Sequence, residues 1–322
     1  MAVCTAKLIN DMKENYFSFN NYLKERFGQR IQRISLDAGF NCPNIDGTFS
    51  KDGCIYCNNR GFSRFARQGK AIDEQIKESI DFYKERMGVG KFIAYFQSYT
   101  NTYDNLKNLK EKYDAIKKFP EIVGLFISTR PDCVDDEKIK LISEYKKDYL
   151  VWVEYGLQTT HNHILKEINR NHTYEDFLTA LDLTRKYGID VGAHIILGLP
   201  SARHEDMIID ADRLSKLDIQ GIKFHILHVL QSTILEKIFK SGKLDLLDSK
   251  EYIRIICDFL ERLPSWVVVL RLVSTAFGDY LVAPGWINQK QKVIEDIKKE
   301  FIKRGTYQGF YHENAGCKSK QG

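Results

Sequence analysis

The sequence predicts an α/β protein built on a partial (β/α)6 barrel of the TIM type, with parallel strands and a C-terminal extension. Apolar, β-branched runs alternate with amphipathic helical stretches from about residue 30 to about residue 280, the sequence form of repeated βα units. With 43% hydrophobic residues, 12% aromatic and 6 prolines, 322 residues suffice for one large core, and no low-complexity tract or linker divides them. Three segments are expected: an N-terminal helical segment (1–30), the barrel (31–285) and a basic C-terminal helix with its tail (286–322). No apolar run of about 18 residues occurs, and the N-terminus lacks an apolar core followed by a small-residue cleavage site. A cytoplasmic protein without a membrane partner is therefore expected.

Taken in order, RISLDAGF (33–40) reads as the first strand. IDEQIKESIDFYKERM follows as a helix with Ile72, Ile76, Ile80, Tyr83 and Met87 on one face and Gly88 as its stop. KFIAYFQS (91–98), IVGLFIST (122–129), YLVWVEYGLQ (149–158) and IDVGAHIILGLP (189–200) are the next strands, each followed or preceded by a charged amphipathic helix. One of these helices opens at a Thr173 cap and closes at Gly188. IQGIKFHILHVL (219–230) is a sixth strand and WVVVLRLVS (266–274) a possible seventh. The tail helix places Val293, Ile294, Ile297 and Phe301 on one stripe among lysines.

Seven cysteines, an odd number without an export signal, argue for metal binding over disulfides. Cys42, Cys54 and Cys57 fall in one glycine-bearing loop directly after the first strand, where parallel α/β folds collect their ligands. Three thiolates leave a tetrahedral zinc one ligand short, whereas a [4Fe–4S] cluster held by three leaves one iron open to a cofactor. A zinc loop completed by a histidine or by Cys133 is the alternative, and a redox pair at Cys54 and Cys57 would leave Cys42 unexplained. Cys4, Cys133, Cys257 and Cys317 show no second ligand spacing, so a single cluster is expected.

The stretch RISLDAGFNCPNIDGTFSKDGCIYC, followed by YFQSYTNTY, STRPD, VEYGLQT, INRNHT and HIILGLP, resembles the YtqA/YhcC group of radical S-adenosylmethionine (SAM) proteins over about residues 15 to 310. This group is similar in turn to the radical SAM domain of the Elongator catalytic subunit. The resemblance implies one [4Fe–4S] cluster on Cys42, Cys54 and Cys57, and SAM as cofactor. It implies Tyr56 against the adenine, and Gln97 and Ser98 at the strand end that receives the SAM amino group, although the acidic residue usual there is missing. Ser128 and Arg130 close the third strand; a guanidinium suits the methionyl carboxylate, unless Arg130 instead pairs with Asp132. Arg170 is the other carboxylate ligand by analogy, Glu154 is expected on the ribose hydroxyls, and Gly198 is expected to let backbone approach the adenine. Gln158, His194, His225 and His228 are candidates for the barrel interior; alternation forbids His225 and His228 from sharing one face of a regular strand. No catalytic residue is singled out.

For substrate, the resemblance implies the C5 side chain of the wobble uridine of tRNA, trimmed from carboxymethylaminomethyl to aminomethyl as in MnmL-type enzymes, with a flavodoxin- or ferredoxin-type electron donor. No acetyltransferase segment is recognised, so acetyl-CoA chemistry is not expected. The net charge of +5 permits a nucleic-acid partner without demanding one. Arg60, Arg64, Arg67 and Lys70, interleaved with Phe62 and Phe65, offer phosphate and stacking contacts, as do Lys290, Lys292, Lys298, Lys299, Lys303 and Arg304. A radical SAM enzyme on a peptide or small molecule, and a zinc-stabilised RNA-binding module without catalysis, are the alternatives.

Overall fold

The computed structural model describes residues 15–58, 69–276 and 278–313, and among these it has nine strands. They are β1 (Ile31–Leu36), β2 (Lys91–Phe96), β3 (Ile122–Thr129), β4 (Leu150–Gln158), β5 (Asp190–Leu197), β6 (Gly221–Ile226), β7 (Val229–Leu230), β8 (Val268–Arg271) and β9 (Leu281–Ala283). All except β7 and β9 form one sheet in chain order, every neighbouring pair parallel, curled into a half-barrel. The helices are α1 (Phe19–Phe27), α2 (Ile72–Met87), α3 (Leu106–Asp114), α4 (Asp136–Glu144), α5 (Asn162–Glu167), α6 (Tyr174–Lys186), α7 (His204–Leu214), α8 (Ile234–Lys240), α9 (Ser249–Leu260) and α10 (Lys290–Arg304). The partial barrel stands as expected, with the seventh strand present.

Strand alternation divides the sheet into two faces. Outward residues such as Phe92, Leu125, Val153, Ala193 and Phe224 pack under the helices in the main core. Thr173 caps α6 through a capping box, as its sequence promised. The expected sixth strand divides: β5 turns away at Gly198, whose φ is +77°, so β6 loses its ladder partner after the bond from Leu227 N–H to the Leu197 carbonyl. The chain beyond it forms β7, which pairs antiparallel with β9. The first strand likewise ends at Leu36, level with the end of β2 at Phe96, rather than reaching residue 40.

The inward face is layered. At the bottom Ile93, Phe126, Trp152 and Leu270 meet Leu23 of α1, with Tyr22 edge-on to Trp152. The indole needs the space left by Gly221, where a Cβ would sit 2.5 Å from it. The segments around Phe17 and Gln308 complete this floor. Val269 N–H donates to the Phe17 carbonyl at 2.8 Å, and Gln308, fully buried, accepts from Phe17 N–H and donates to the Pro264 and Val267 carbonyls. Gln308→Ala leaves those three groups without partners, at an expected cost of about 3 kcal/mol, read as a lower midpoint in thermal or urea unfolding.

Candidate functional site

The cysteine loop is held by the segment after α5. Asn169 donates through Nδ2 to the Ser50 hydroxyl (3.1 Å) and the Gly53 carbonyl (2.6 Å), and Asn171 donates to Asn44 Oδ1 (2.8 Å). Asn44 returns a bond to the Asn169 carbonyl, and Ile55 N–H donates to that of Ile168. Both asparagines sit at positive φ (54° and 55°), a conformation their short side chains tolerate best among non-glycine residues. The run INRNHT thus folds as a clasp for the loop.

Arg170, buried in that clasp, directs Nη1 at the Cys54 sulfur (3.7 Å), Nη2 at the Gly156 carbonyl (2.8 Å) and Nε at His172 (2.9 Å). Burial lowers its pKa, but Cys54, Tyr56 and Cys42 around it together more than reverse that, leaving it raised. Burial first, and then the Arg170 and Arg130 charges, hold the His172 imidazole well below its ordinary value, so it accepts as a neutral ring.

Cys42, Cys54 and Cys57 line one pocket at the carboxyl ends of the strands, and Tyr56, Gln97, Ser98, Ser128, Arg130 and Arg170 line it with them. Arg130 forks onto Asp132 through Nε (2.9 Å) and Nη2 (2.7 Å), yet its Nη1 is buried with no hydrogen-bond partner, and so is Ser98 Oγ. Buried donors are almost always satisfied, so these two mark a place for ligand acceptors. Gln158, at φ +77°, closes β4 on the same pocket. His225 and His228 both reach it because β6 ends between them, at Ile226.

Two expected residues stand elsewhere. Gly198 does not line the pocket, because its left-handed turn is covered by Leu247, whose side chain would lie 2.8 Å from an added Cβ. Glu154 is fully buried behind the lining, with both oxygens engaged by protein donors. Oε1 accepts from Arg33 (3.3 Å), and Oε2 from Tyr95 (2.8 Å), His194 (2.7 Å) and Lys223 (2.7 Å). Burial alone would raise this carboxyl, but Lys223, the His194 hydrogen bond and Arg33 hold it well below the usual range. Burial, then Lys223, brings His194 down to about 3, so it is neutral and donates through Nε2.

This charged layer was not anticipated. Arg33, Lys223 and Arg271 are single cations inside apolar strands, a pattern that signals an inward functional position once one asks why a charge is there. Arg271 faces inward only because the pairing of β6 and β8 shifts between Ile222 and Lys223, setting Arg271 beside Lys223. The basic and aromatic cluster Arg60, Phe62, Arg64, Phe65 and Arg67 lies outside the described residues, as do Cys4 and Cys317. Cys133 and Cys257 are buried away from the pocket.

The radical SAM superfamily matches residues 45–214, and the radical SAM C-terminal domain matches residues 219–303. The uncharacterized protein YtqA of Bacillus subtilis is 36% identical over 307 residues, 94% of this chain and 95% of that one. A tRNA uridine(34) acetyltransferase of Methanocaldococcus jannaschii is 30% identical over 204 residues, 62% of this chain but 34% of that protein. Among solved structures, the archaeal Elp3 of Methanocaldococcus infernus lacking residues 1–46 superposes with a TM-score of 0.59 at 18% identity, covering 88% of this chain and 68% of its own, which bears on the fold. The chain belongs to the radical SAM superfamily and is a radical SAM enzyme, of a family whose members work with a [4Fe–4S] cluster and SAM.

Proposed function

We propose that Cys42, Cys54 and Cys57 hold one [4Fe–4S] cluster, that SAM binds beside it, and that the enzyme trims the C5 side chain of a tRNA wobble uridine from carboxymethylaminomethyl to aminomethyl. The observation that carries the cofactor assignment is the pocket itself: three thiols at one side and two unsatisfied buried donors, Arg130 Nη1 and Ser98 Oγ, on the strand ends facing it. The donor set fits the pair of groups. Among the described residues no three His, Cys, Asp or Glu side chains converge on a single-ion site. Three thiols in one pocket suit a cluster, in which each binds a different iron and a fourth iron stays open, better than a tetrahedral zinc, which they leave one ligand short.

The chemistry this pair supplies when bound is a 5′-deoxyadenosyl radical that takes hydrogen from an unactivated C–H bond. The protein's own part is positioning. In this reading Arg130 Nη1 receives the methionyl carboxylate, Tyr56 covers the adenine, and Gln97, Ser98 and Ser128 bind polar groups of the cofactor; their shared lining of the pocket and the unsatisfied Arg130 and Ser98 donors support it. Arg170 holds the Cys54 sulfur through Nη1 and sets a positive charge beside it. The tRNA substrate is supported by the activity of the M. jannaschii relative, a tRNA uridine(34) acetyltransferase, and by the motifs this chain shares with the YtqA/YhcC group. A flavodoxin- or ferredoxin-type protein is the proposed electron donor.

The test has two parts. Anaerobically reconstituted protein is expected to contain iron and sulfide and, once reduced, to release 5′-deoxyadenosine from SAM; zinc without iron, or no SAM cleavage, would sink the cofactor assignment. Mass spectrometry of tRNA nucleosides from a deletion strain is expected to show carboxymethylaminomethyl uridines accumulating and aminomethyl ones falling. Unchanged wobble nucleosides would remove the tRNA reading.

A further inference from the structure

We propose that the part of the pocket formed by Arg271, Lys223 and His225 is an anion subsite that takes a carboxylate of the substrate. The proposal rests on the reading of this pocket as the place where substrate reacts. Among the described residues four cations line the pocket, Arg130, Arg170, Lys223 and Arg271, and no Asp or Glu does. Three of them have a negative or thiol partner: Asp132 for Arg130, Cys54 for Arg170, and Glu154 for Lys223. Among the described residues no carboxylate lies within 4.0 Å of Arg271; its hydrogen bonds go to the Phe224 carbonyl at 3.4 Å and to the His225 ring at 2.6 Å.

Glu154 does not close the account for its layer, because it already serves Arg33 as well as Lys223. Three cations thus face one carboxylate, in a site partly removed from water. A guanidinium left unmatched there is costly unless a ligand brings the missing charge, and its planar fork of donors fits a carboxylate with two parallel bonds. Ser274 and Thr275, which line the same part of the pocket just beyond β8, add hydroxyl donors.

Position separates this subsite from the one at Arg130. Arg130 follows β3 and Arg271 ends β8, with β4, β5 and β6 between them in the sheet. Two carboxylates, one of SAM and one of substrate, can therefore be bound at once by different arginines. The carboxymethylaminomethyl group carries such a carboxylate and the aminomethyl group does not. An anion subsite at Arg271 thus distinguishes the substrate from the product that has lost this group.

The experiment measures calorimetric binding of three nucleosides to the full-length reconstituted enzyme with SAM: 5-carboxymethylaminomethyluridine, its methyl ester, and 5-aminomethyluridine. Wild type is expected to bind the acid about tenfold or more tightly than the ester or the amine, in line with a charge-assisted bidentate pair. Arg271→Gln is expected to erase that ratio, and Arg271→Lys, which keeps the charge without the fork, to retain part of it. Circular dichroism and SAM affinity on the same samples report folding; if the glutamine variant is unfolded, a loss of at least part of the ratio in Arg271→Lys is the required result. Equal binding of acid and ester by wild type, no binding of the acid, or a ratio unchanged in both variants overturns the proposal. A preference for the acid alongside unchanged wobble nucleosides in the deletion strain would keep the subsite and discard tRNA as the substrate. Altered wobble nucleosides without that preference would do the reverse.

Discussion

Cys54→Ser is expected to strip the reconstituted enzyme of most of its iron and to reduce 5′-deoxyadenosine formation to background, while leaving the far-ultraviolet circular dichroism unchanged. Cys54 is buried, and its sulfur receives Asn44 Nδ2 at 3.4 Å as well as Arg170 Nη1, so the protein fixes this proposed ligand from two sides. Serine keeps the shape but offers a hydroxyl that stays protonated where a thiol becomes a thiolate, and a soft iron–sulfur centre binds it poorly. The clasp residue provides a graded comparison. Arg170→Met retains all three cysteines while removing the charge beside Cys54, and a drop of about 10–100-fold in cluster retention is expected, the usual scale for groups that orient a ligand. Iron analysis and the cluster's visible absorbance read both variants; full iron content in Cys54→Ser would show that this cysteine is not a ligand.

Glu154→Gln is expected to destabilise the fold by about 3–5 kcal/mol at pH 7, measured by urea unfolding, because it leaves Lys223 and Arg33 buried or half-buried with no opposing charge. Replacing Lys223 by methionine in the same chain removes the excess cation and is expected to recover part of the loss; additive losses in the double variant would show that the two do not act as a pair.

The same layer sets the response to acid. The folded-state pKa of Glu154 lies below its ordinary value of 4.5, so its contribution is whole above that value and is lost as the pH falls through the folded pKa. His194 titrates at about 3 in the fold and at 6.5 when unfolded. Between those two values the unfolded chain takes up a proton that the native one refuses, so stability falls as the pH falls, by at most about 1.4 kcal/mol per unit. His194→Asn is expected to flatten the dependence between pH 6.5 and 4.5, and Glu154→Gln the dependence below 4.5. Identical slopes in wild type and His194→Asn would show that the imidazole is not held neutral.

The parts legible in the sequence were those that depend on neighbours along the chain. Alternating βα units follow from local periodicity, the Thr173 cap from a three-residue spacing, and the cysteine loop from its place after the first strand. What escaped was set by closure of the sheet. Arg33 on β1 and Lys223 on β6 meet the same carboxylate on β4 only because the sheet curls, and Arg271 joins them through a register shift that no periodicity announces. The roles of Arg130 and Arg170 divide for the same reason. Both are arginines near strand ends, and only the fold shows that Arg170 spends its donors on the clasp while Arg130 keeps one in reserve. Glu154 and Gly198 had suitable chemistry for cofactor contacts, but one is consumed by cations and the other is covered by Leu247.

The floor of the half-barrel imposes an order in time. Phe17 and Gln308 bond to each other across 291 positions, so Phe17 finds this partner only after residue 308 has left the ribosome. The βα units can begin to pair during synthesis, since each strand lies beside the next in sequence, whereas this long-range closure must wait. A nascent chain therefore presents its cysteine loop, complete by residue 57, well before its base is shut. The proposed cluster ligands stay accessible throughout that interval, and the turn at Gln308 locks the vessel from below.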